Sequence, residues 1–273
     1  MTEILVLGGT GKTGRRVVAR LREQGFSPRA ASRSGTQRFD WQDETTWEAA
    51  VAGVRAAYLV DAQTSDAAER LRAFGELAVA QGVERLVLLS ARVWGEFGEG
   101  GGLAGEKAVQ ESGAEWTILR PTWFAQNFSE DPLLSEPVAA GEVSLSTGDG
   151  REPFVDLDDV ADVAAVALTE PGHAGEIYDL SGPEAITWGE AVAEIARAAG
   201  RTIVFRSVDG EEVRRQLVAR GYPEAFATGV ESLFEHIRLG RGAVLSDGVR
   251  RVLGREPGTF RAYAERTAWG TGA

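Results

Sequence analysis

The first 25 residues contain an apolar run, a glycine-rich turn and an amphipathic segment in immediate succession. Ile4–Leu7 is continuously apolar, which is typical of a parallel strand that is covered on both faces. Gly8, Gly11 and Gly14 follow in a G-x-x-G-x-x-G pattern, and apolar residues then recur at helical spacing among arginines. In this context the glycines favour a dinucleotide-binding turn, in which amide groups at the start of the helix meet a pyrophosphate.

The same glycine segment has two other interpretations. Gly11-Lys12-Thr13 resembles the end of a P-loop, but that motif needs a glycine five residues before Gly11. Val6 stands at that position inside the strand, so the loop is too short to surround a triphosphate. A structural turn that binds nothing is the second alternative.

Apolar runs and helical patterns alternate along the first half of the chain. Strands are predicted at 56–60, 86–89 and 116–119, with helices at 66–81 and 103–111 between them. This alternation is typical of an α/β fold with a parallel sheet and right-handed crossovers.

The pattern changes after Pro121. Residues 126–153 are rich in turn signals, a strand is predicted at 177–180, and the capping box Thr187–Glu190 opens a further helix. The other helices are predicted at 158–168, 207–240 and 259–268. We therefore expect a sheet-based domain at 1–125, to which the chain returns at about 153–182, and a smaller, mostly helical part at 126–152 and 183–273.

Composition excludes several classes of function. The chain of 273 residues has 29 basic and 41 acidic side chains, and its net charge of −12 argues against nucleic acid or an anionic membrane as a partner. It has no cysteine and two histidines, so disulfides, thiol catalysis and a metal site are not expected. Neither a signal-peptide pattern nor an apolar stretch of about 18 residues occurs, which predicts a cytoplasmic protein without a membrane span. We expect a monomer or homodimer that acts on a small molecule.

The end of the second predicted strand indicates which dinucleotide the turn binds. Sites for NAD usually carry an acidic residue there, about 20 residues after the glycines, which binds the ribose hydroxyls. Ala30–Ser34 contains no acid. Arg33 and Ser34 suit the 2′-phosphate of NADP(H) instead, because a guanidinium binds phosphate through paired hydrogen bonds. A solvated surface position for Arg33 is the alternative.

Motifs along the chain resemble one family. In chain order they are Gly8–Gly14, Asp40-Trp41, Leu89–Ala91, Glu106-Lys107, Thr117–Phe128, Phe154–Asp156, Asp159–Ala161 and Tyr178–Pro183, with Leu253–Pro257 and Thr259-Phe260 near the end. Together they are similar to the NmrA-like atypical short-chain dehydrogenases. Within that family the likeness is to the branch of triphenylmethane reductase, quinone oxidoreductase-2-like proteins and agroclavine dehydrogenases. The resemblance implies an NADPH-dependent oxidoreductase with a Rossmann doubly wound parallel sheet and a smaller, mostly helical C-terminal substrate subdomain.

The resemblance also implies which residues surround the cofactor. The pyrophosphate is expected at Gly8, Thr10, Gly11, Lys12, Thr13 and Gly14, and the 2′-phosphate at Arg33 and Ser34. Adenine is expected near Asp40 and Trp41, and the ribose and nicotinamide near Asp61, Ala62, Ser90 and Ala91. The face of the nicotinamide is expected against Pro121, Thr122, Trp123 and Phe124.

The proton donor of typical short-chain dehydrogenases is missing. Their Tyr-x-x-x-Lys motif has no counterpart, because Ala62, Gly182, Phe226 and Thr267 stand four residues after the four tyrosines. A carbonyl substrate needs such a donor when charge develops on its oxygen, whereas an iminium, a quinone or a conjugated C=C or C=N bond is already activated. The absence therefore favours an activated electrophile, with catalysis resting mainly on the orientation of cofactor and substrate.

Two polar residues are candidate catalytic groups. Lys107 is a candidate to bind the cofactor ribose or donate a proton, and a surface ion pair is its alternative. Ser90 is a candidate to hydrogen-bond the nicotinamide or the substrate, and a strand-end cap is its alternative. Trp94, Trp123 and Phe128 are predicted to contact a flat, aromatic or cyclic substrate, with a place in the core as the alternative.

These observations support two functional hypotheses of different class. The first is an NADPH-dependent reductase of an activated electrophile, such as an imine or quinone reductase. The second is a non-enzymatic regulator that senses NAD(P), as some NmrA-like proteins do. An isomerase or epimerase with a tightly held cofactor is a third and weaker hypothesis, because the missing tyrosine also counts against it.

Overall fold

The computed structural model describes residues 3–96 and 101–270. The strands are β1 (Glu3–Leu7), β2 (Ser27–Ser32), β3 (Gln37–Arg38), β4 (Ala56–Val60), β5 (Arg85–Leu89), β6 (Glu115–Pro121), β7 (Glu142–Leu145), β8 (Arg151–Glu152), β9 (Glu176–Leu180), β10 (Ile186–Thr187) and β11 (Val204–Ser207). Seven of them form one parallel sheet in the order β3-β2-β1-β4-β5-β6-β9. The strand order reverses between β1 and β4, as in doubly wound folds, so the predicted Rossmann fold is confirmed.

Helices connect and cover these strands. They are α1 (Gly14–Glu23), α2 (Trp47–Val51), α3 (Ala67–Ala80), α4 (Arg92–Glu96), α5 (Gly101–Gln110), α6 (Asn127–Glu130), α7 (Pro132–Ala140), α8 (Leu157–Thr169), α9 (Trp188–Ala199), α10 (Gly210–Ala219), α11 (Glu224–Arg238), α12 (Gly248–Leu253) and α13 (Phe260–Arg266). The described helices include none that is long and apolar enough to cross a membrane.

The central strands form because both of their faces are buried. Leu5, Leu59 and Leu86 of three neighbouring strands are fully buried, and Phe74 of α3 and Val109 of α5 pack into the same core cluster. Each such side chain contributes about 1.5–3 kcal/mol by leaving water. The apolar runs seen in the sequence are therefore the inner strands of the sheet.

The chain divides into two compact units. The first comprises Met1–Pro121, Leu157–Leu180 and Asp247–Glu256, and the second comprises Thr122–Asp156, Ser181–Ser246 and Pro257–Ala273. The first two boundaries lie within a few residues of the predicted ones. The third segment of the first unit, Asp247–Glu256, is absent from the predicted division.

The second unit contains short strands and several helices around one aromatic core. Trp188 is fully buried there, and its ring lies 5.0 Å from Phe154 and 5.5 Å from Phe234. The predicted capping box is present, because Thr187 accepts from the Glu190 amide at 3.0 Å and Glu190 accepts from the Thr187 amide at 2.7 Å. It fixes the start of α9, which carries Trp188 into the core.

Two stretches of the second unit differ from their predicted structure. The turn-rich segment 126–153 contains α6 and α7, because Pro132 occupies the first turn of α7, where proline is favoured, and Asp131 caps the Leu133 amide at 3.2 Å. The helical segment 207–240 is two helices, since Gly221 with a φ of +89° and Pro223 interrupt it.

The returning segment of the first unit is held by close packing and by ion pairs. A Cβ on Gly248, at the start of α12, would lie 2.2 Å from the carbonyl oxygen of Asp179 in β9. Arg255 then pairs with Asp159 and Asp162 of α8, both at 2.6 Å. These contacts explain why glycine and arginine occupy positions 248 and 255.

Candidate functional site

The carboxyl ends of the parallel strands bring the predicted cofactor residues to one edge of the sheet. Gly8 follows β1, Arg33 follows β2, Asp61 follows β4 and Ser90 follows β5. The register pairs the last residues of β4 and β5, so Asp61 and Ser90 leave neighbouring strands at the same level. The strand order reverses between β1 and β4, which is where ligands bind in open α/β sheets.

The glycine-rich turn depends on glycine at positions 8, 9 and 14. Gly8 has a φ of +62°, and its carbonyl oxygen accepts from the Gly11 amide at 2.8 Å. A Cβ on Gly14 would lie 2.3 Å from that same oxygen, and a Cβ on Gly9 would lie 2.8 Å from the Ala30 Cα. A side chain at Gly9 or Gly14 would therefore displace backbone, and one at Gly8 would be strained by the positive φ.

The start of α1 is suited to an anion. Thr13 occupies the N-cap position without a side-chain capping bond, and the first turn of the helix contains no acidic residue. The first amide groups of a helix have no partner inside the helix, and the helix dipole is positive at this end. Gly8, Thr10 and Gly11 are exposed, so their backbone is available to a ligand, and Lys12 adds a positive charge beside them.

The end of β2 carries two exposed polar residues and one buried hydroxyl. Arg33 and Ser34 are exposed. No ion-pair or hydrogen-bond partner of the Arg33 guanidinium occurs in 3–96 or 101–270. Ser32 Oγ is buried without a hydrogen-bond partner within the same described ranges. Both features suit an anionic ligand that brings its own acceptors.

Asp40 and Trp41 follow β3 and are held firmly. The Asp40 Oδ1 accepts from the Gln42 amide at 3.0 Å, and the Trp41 indole donates to the Val60 carbonyl at 3.0 Å. The Trp41 ring lies 5.0 Å from Phe39 in an edge-to-face arrangement. Trp41 is thus a half-buried wall whose position is fixed before any ligand binds.

The loop after β4 is strained at one residue. Gln63 has a φ of +52°, and it is the one non-glycine residue with a positive φ among those described. Its amide donates to Asp61 Oδ1 at 3.2 Å, which holds that carboxylate beside Ala62 at the edge of the sheet. Burial raises the pKa of Asp61, and the bond from the Gln63 amide opposes that rise. Strain and a perturbed carboxyl together are typical of a functional loop.

Ser90 is part of a hydrogen-bonded network at the end of β5. Its hydroxyl donates to Glu106 Oε1 at 2.6 Å, and its amide donates to the Leu119 carbonyl at 2.8 Å. Glu106 lies on α5 with a side chain that is 3% exposed, and Arg120 of β6 binds both of its carboxylate oxygens. The ion pair with Glu106 raises the pKa of Arg120. Ala91 follows Ser90 and is half-buried.

Lys107 does not share the direction of Glu106. Successive helix residues differ in direction by about 100°, and the Lys107 side chain is 69% exposed. Its Nζ lies 3.8 Å from Glu111 Oε1, one turn along α5. This placement is the surface ion pair that the sequence left as the alternative, and the catalytic and cofactor-binding roles of Lys107 stay predictions.

Trp94 lies on α4, next to residues 97–100, which are outside the described part of the chain. Trp94 is 39% exposed. A Cβ on Gly102 would lie 2.3 Å from the Trp94 ring. Glycine at position 102 therefore gives the indole its place against α5. The predicted contact of Trp94 with a substrate stays a prediction.

The segment after β6 belongs to the second unit, except for Pro121, which ends the strand. Thr122 Oγ1 donates to the Pro153 carbonyl at 2.7 Å, and the backbone of Trp123 and Phe124 pairs with Val155. The Trp123 ring is half-buried and lies 5.1 Å from Trp188. These bonds hold the segment that was predicted to face the nicotinamide.

Phe128 is fully buried in the core of the second unit, 5.5 Å from the Phe154 ring. It also lines a cavity of about 290 Å³, together with Ser129, Arg201 and Trp269. Arg201 Nη2 donates to the Val138 carbonyl at 2.7 Å, which fixes the guanidinium at the cavity wall. The predicted substrate contact of Phe128 therefore stays a prediction.

Two of the four tyrosines lie within strands of the sheet, and the other two belong to the second unit. Tyr58 is fully buried within β4, where burial raises its pKa, and Tyr178 within β9 is bonded to His173 Nδ1 at 2.9 Å. Tyr263 donates to Ser129 Oγ at 2.8 Å, and burial raises its pKa to about 12. Tyr222 stacks on Phe226 at 5.0 Å. None follows a strand of the sheet at its carboxyl edge.

Comparison with known proteins agrees with this geometry. The NAD(P)H-binding family matches residues 8–171. The chain belongs to this family. It is 33% identical to festuclavine synthase II of Penicillium roqueforti over 96% of this chain and 97% of that protein. It is 30% identical to an NAD(P)H azoreductase of Xenophilus azovorans over 99% of both chains.

A solved structure shows the same fold at lower identity. Triphenylmethane reductase of Citrobacter sp., crystallised with NADP(H), superposes with a TM-score of 0.76 at 21% identity, covering 97% of this chain and all of that one. The family model and these relatives together identify the chain as a member of an NAD(P)H-dependent oxidoreductase family, and they confirm the predicted resemblance to NmrA-like atypical short-chain dehydrogenases.

Sequence patterns do not reveal the roles of three residues at this edge of the sheet, which are Ser32, Gln63 and Glu106. Ser32 belongs to the quoted stretch at the end of β2, but no pattern shows that its hydroxyl is buried without a partner. The positive φ of Gln63 has no signature in a non-glycine residue. The motif Glu106-Lys107 was found, yet sequence alone does not tell which of the two faces Ser90.

Proposed function

We propose that this chain is an NADPH-dependent reductase that transfers hydride to an activated electrophile: an iminium, a quinone or a conjugated C=C or C=N bond of a small cyclic or aromatic molecule. The single observation behind the proposal is the composition of the sheet edge. It combines a glycine cradle, an Arg33 without a partner among the described residues, and the Ser90 network with four tyrosines, none of which follows a strand of the sheet at its carboxyl end.

The residues of the first unit fit a dinucleotide. A Cβ at Gly14 would collide with the Gly8 carbonyl, so the cradle exists only because glycine stands there. Within residues 8–14 the amides of Gly9 and Gly11 already donate to the Ala31 and Gly8 carbonyls, so the pyrophosphate is assigned to the other amides of the turn and the start of α1. Arg33 with Ser34 offers charge and hydroxyl to a 2′-phosphate. The missing acid at the end of β2 favours NADPH over NADH, because no carboxylate there would repel the phosphate.

The bound NADPH supplies the hydride. The chain's own residues orient the ligands and keep the edge of the sheet ordered, which is the main source of rate when no side-chain acid takes part. An electrophile that carries a positive charge, or that delocalises the incoming charge, needs no proton at the moment of hydride transfer. Asp61, Ala62, Ser90 and Ala91 are the residues that we assign to the ribose and nicotinamide.

Aromatic side chains support a flat substrate. We assign Trp94, Trp123 and Phe128 to substrate binding, and Pro121, Thr122 and Phe124 to the wall that faces the nicotinamide. The second unit contains a cavity of about 290 Å³ with aromatic side chains in its wall, and such a pocket favours an enzyme over a cofactor sensor. One relative is named an NAD(P)H azoreductase, and an azo compound is a conjugated electrophile of the kind proposed.

The test is NADPH consumption by the purified protein with a cyclic iminium, a quinone, a cationic triarylmethane dye and a simple aldehyde. We expect turnover of at least one of the first three, no turnover of the aldehyde, and slower turnover with NADH. Turnover of the aldehyde as fast as the best activated electrophile would overturn the role of the missing acid. Tight NADPH binding with no turnover of any compound would favour the sensor hypothesis instead.

A further inference from the structure

Ser90 differs from an ordinary active-site serine because its one proton is already used. Its hydroxyl lies 2.6 Å from Glu106 Oε1, a distance typical of a hydroxyl that donates to a carboxylate. An ionised carboxylate accepts hydrogen bonds and cannot donate. The proton of this bond therefore comes from Ser90, and the serine oxygen keeps only acceptor capacity for anything that it meets at the edge of the sheet.

Arg120 forms an ion pair with the Glu106 carboxylate that accepts the Ser90 proton. Its Nε lies 2.9 Å from Oε1 and its Nη2 binds Oε2, so the guanidinium binds both carboxylate oxygens. The Glu106 side chain is 3% exposed and that of Arg120 is 21% exposed. The guanidinium thus supplies the opposite charge and the hydrogen bonds that a buried carboxylate needs.

The backbone fixes the direction of the serine. The Ser90 amide donates to the Leu119 carbonyl at 2.8 Å, which ties the end of β5 to β6. Glu106 comes from α5, so two strands and one helix converge on this hydroxyl. Ser90 is half-buried and Glu106 is buried, so the network has one face that a ligand can reach.

We propose that Glu106 and Arg120 are positioning residues that fix Ser90 as a hydrogen-bond acceptor, and that Ser90 binds an N–H donor of a bound ligand. This inference rests on the proposed binding of a nicotinamide dinucleotide. Two ligand groups carry the required chemistry: the carboxamide NH₂ of the nicotinamide ring and the N–H of a protonated cyclic iminium. A carbonyl oxygen of a quinone or ketone is excluded as a partner of Ser90, since acceptor would face acceptor.

The first arm of the test measures binding without turnover. Calorimetric dissociation constants are compared for NADP⁺, for its thionicotinamide analogue, which keeps the NH₂ group, and for its 3-acetylpyridine analogue, which lacks it. We expect the wild type to bind the acetylpyridine analogue about threefold to tenfold more weakly than the other two, the range of one net hydrogen bond. Ser90→Ala should bring the three affinities together, and Ser90→Thr should restore the difference.

The positioning role is tested by removing both charges at once. Glu106→Ala alone would leave Arg120 unpaired in a partly buried position and is at risk of misfolding. Glu106→Leu with Arg120→Met removes both partners and frees the Ser90 proton, so the preference for NH₂-bearing ligands should vanish or reverse. Ser112→Ala is the matched control, because Ser112 Oγ donates to the Val109 carbonyl on the far end of α5 and should leave every ratio unchanged.

The second arm distinguishes the substrate from the cofactor as the source of the N–H. It compares kcat/KM for an N–H cyclic iminium with that for its N-methyl counterpart in wild type and in Ser90→Ala. A ratio that falls about threefold to tenfold in Ser90→Ala would place the substrate N–H at Ser90. Unchanged ratios in both arms would overturn the inference, as would preferences that survive in the Glu106 and Arg120 double variant. If the wild type bound none of the three dinucleotides, the proposed function itself would fail.

Discussion

Arg33 and Asp61 each follow a strand of the same sheet, and the two charged side chains differ in exposure and in hydrogen bonding. Arg33 is exposed and has no partner in the described parts of the chain, so nothing in the protein competes with a ligand for its guanidinium. Asp61 is half-buried, and its carboxylate is destabilised by that burial. The first residue favours binding of an anion, and the second makes the free protein less stable than it could be.

Replacing Arg33 by alanine should weaken the binding of NADPH far more than the binding of NADH. The lost charge-assisted hydrogen bonds to the 2′-phosphate correspond to an affinity loss of about 10- to 100-fold for NADPH. Titration of both nucleotides by calorimetry measures the effect. Arg38→Ala is the control, because Arg38 pairs with Asp43 at 3.3 Å and is 65% exposed. Equal losses for NADPH and NADH would remove Arg33 from the 2′-phosphate site.

Asp61→Asn should raise the free energy of unfolding at pH 7. Burial raises the folded-state pKa of Asp61 above its ordinary value of 3.8, so the folded protein holds this proton more tightly than the unfolded chain. The carboxylate therefore costs stability above the folded pKa, and the cost disappears below 3.8. Urea unfolding of both proteins at several pH values measures the difference, and a gain that persists at pH 3 would contradict this explanation.

At the residue scale, the sequence predicted positions better than contacts. Arg33, Asp61 and Ser90 could be placed because each follows an apolar run that becomes a parallel strand. The partner of Ser90 could not be predicted, because Glu106 lies 16 residues away on a helix whose rotation about its axis decides which side chain faces inward. Lys107 was chosen from the motif, and the helix directs it to solvent.

The glycine turn and α1 form one element whose function depends on backbone proximity. The Gly8 carbonyl oxygen is approached by the Gly11 amide at 2.8 Å and would be 2.3 Å from a Cβ at Gly14. The turn therefore has no room for any side chain at Gly14. This is why a G-x-x-G-x-x-G pattern after a strand could predict a cradle for phosphate before its geometry was known.

Gly14→Ala should lower the free energy of unfolding by about 1–3 kcal/mol, the usual cost of adding atoms at a tightly packed position. It should also weaken the binding of NADPH. Chemical denaturation and calorimetry measure the two effects. Gly229→Ala in α11 is the matched control, because a Cβ there meets nothing within 4 Å. It should stabilise the protein by about 0.5–1 kcal/mol. A stable Gly14→Ala protein with unchanged NADPH affinity would contradict the role of the turn.

Elements with a strong hydrophobic period were predictable, and short or half-buried ones were not. β1, β4 and β5 are apolar runs buried on both faces, whereas β2 is half-buried along most of its length and has no such run. β7 and β11 are four residues each and pair with one another across some 60 residues of chain. Pairing of that kind depends on tertiary packing that no local pattern records.

The whole molecule is built from a chain that leaves the sheet-bearing unit and returns to it twice. The second return, Asp247–Glu256, carries α12 and places Arg255 against Asp159 and Asp162. The sequence showed the motif around Arg255, but the pairing could not be foreseen because its partners lie more than 90 residues earlier. The sequence predicted divisions near 125 and 153, where the strand–helix alternation stops and resumes, and the two units divide at 121 and 157.

Arg255→Ala should lower the free energy of unfolding by about 1–3 kcal/mol, because the buried Asp159 loses a charged hydrogen-bond partner. Urea denaturation measures the loss. Arg250→Ala on α12 is the control, since its pair with Glu256 at 3.4 Å is exposed and contributes little. Equal stability of the two variants would show that the returning segment is held by the packing of Gly248 on β9 instead.

Hydride transfer itself is tested most directly by isotope transfer. NADPH that carries deuterium at both positions of nicotinamide C4 is incubated with the protein and a cyclic iminium, and the mass of the product is measured by mass spectrometry. A reductase of the proposed kind places one deuterium on the former iminium carbon, and the label persists when the reaction is run in ordinary water. Bound NADPH with no deuterium in any product would contradict the reductase and leave a protein that binds the cofactor without using it.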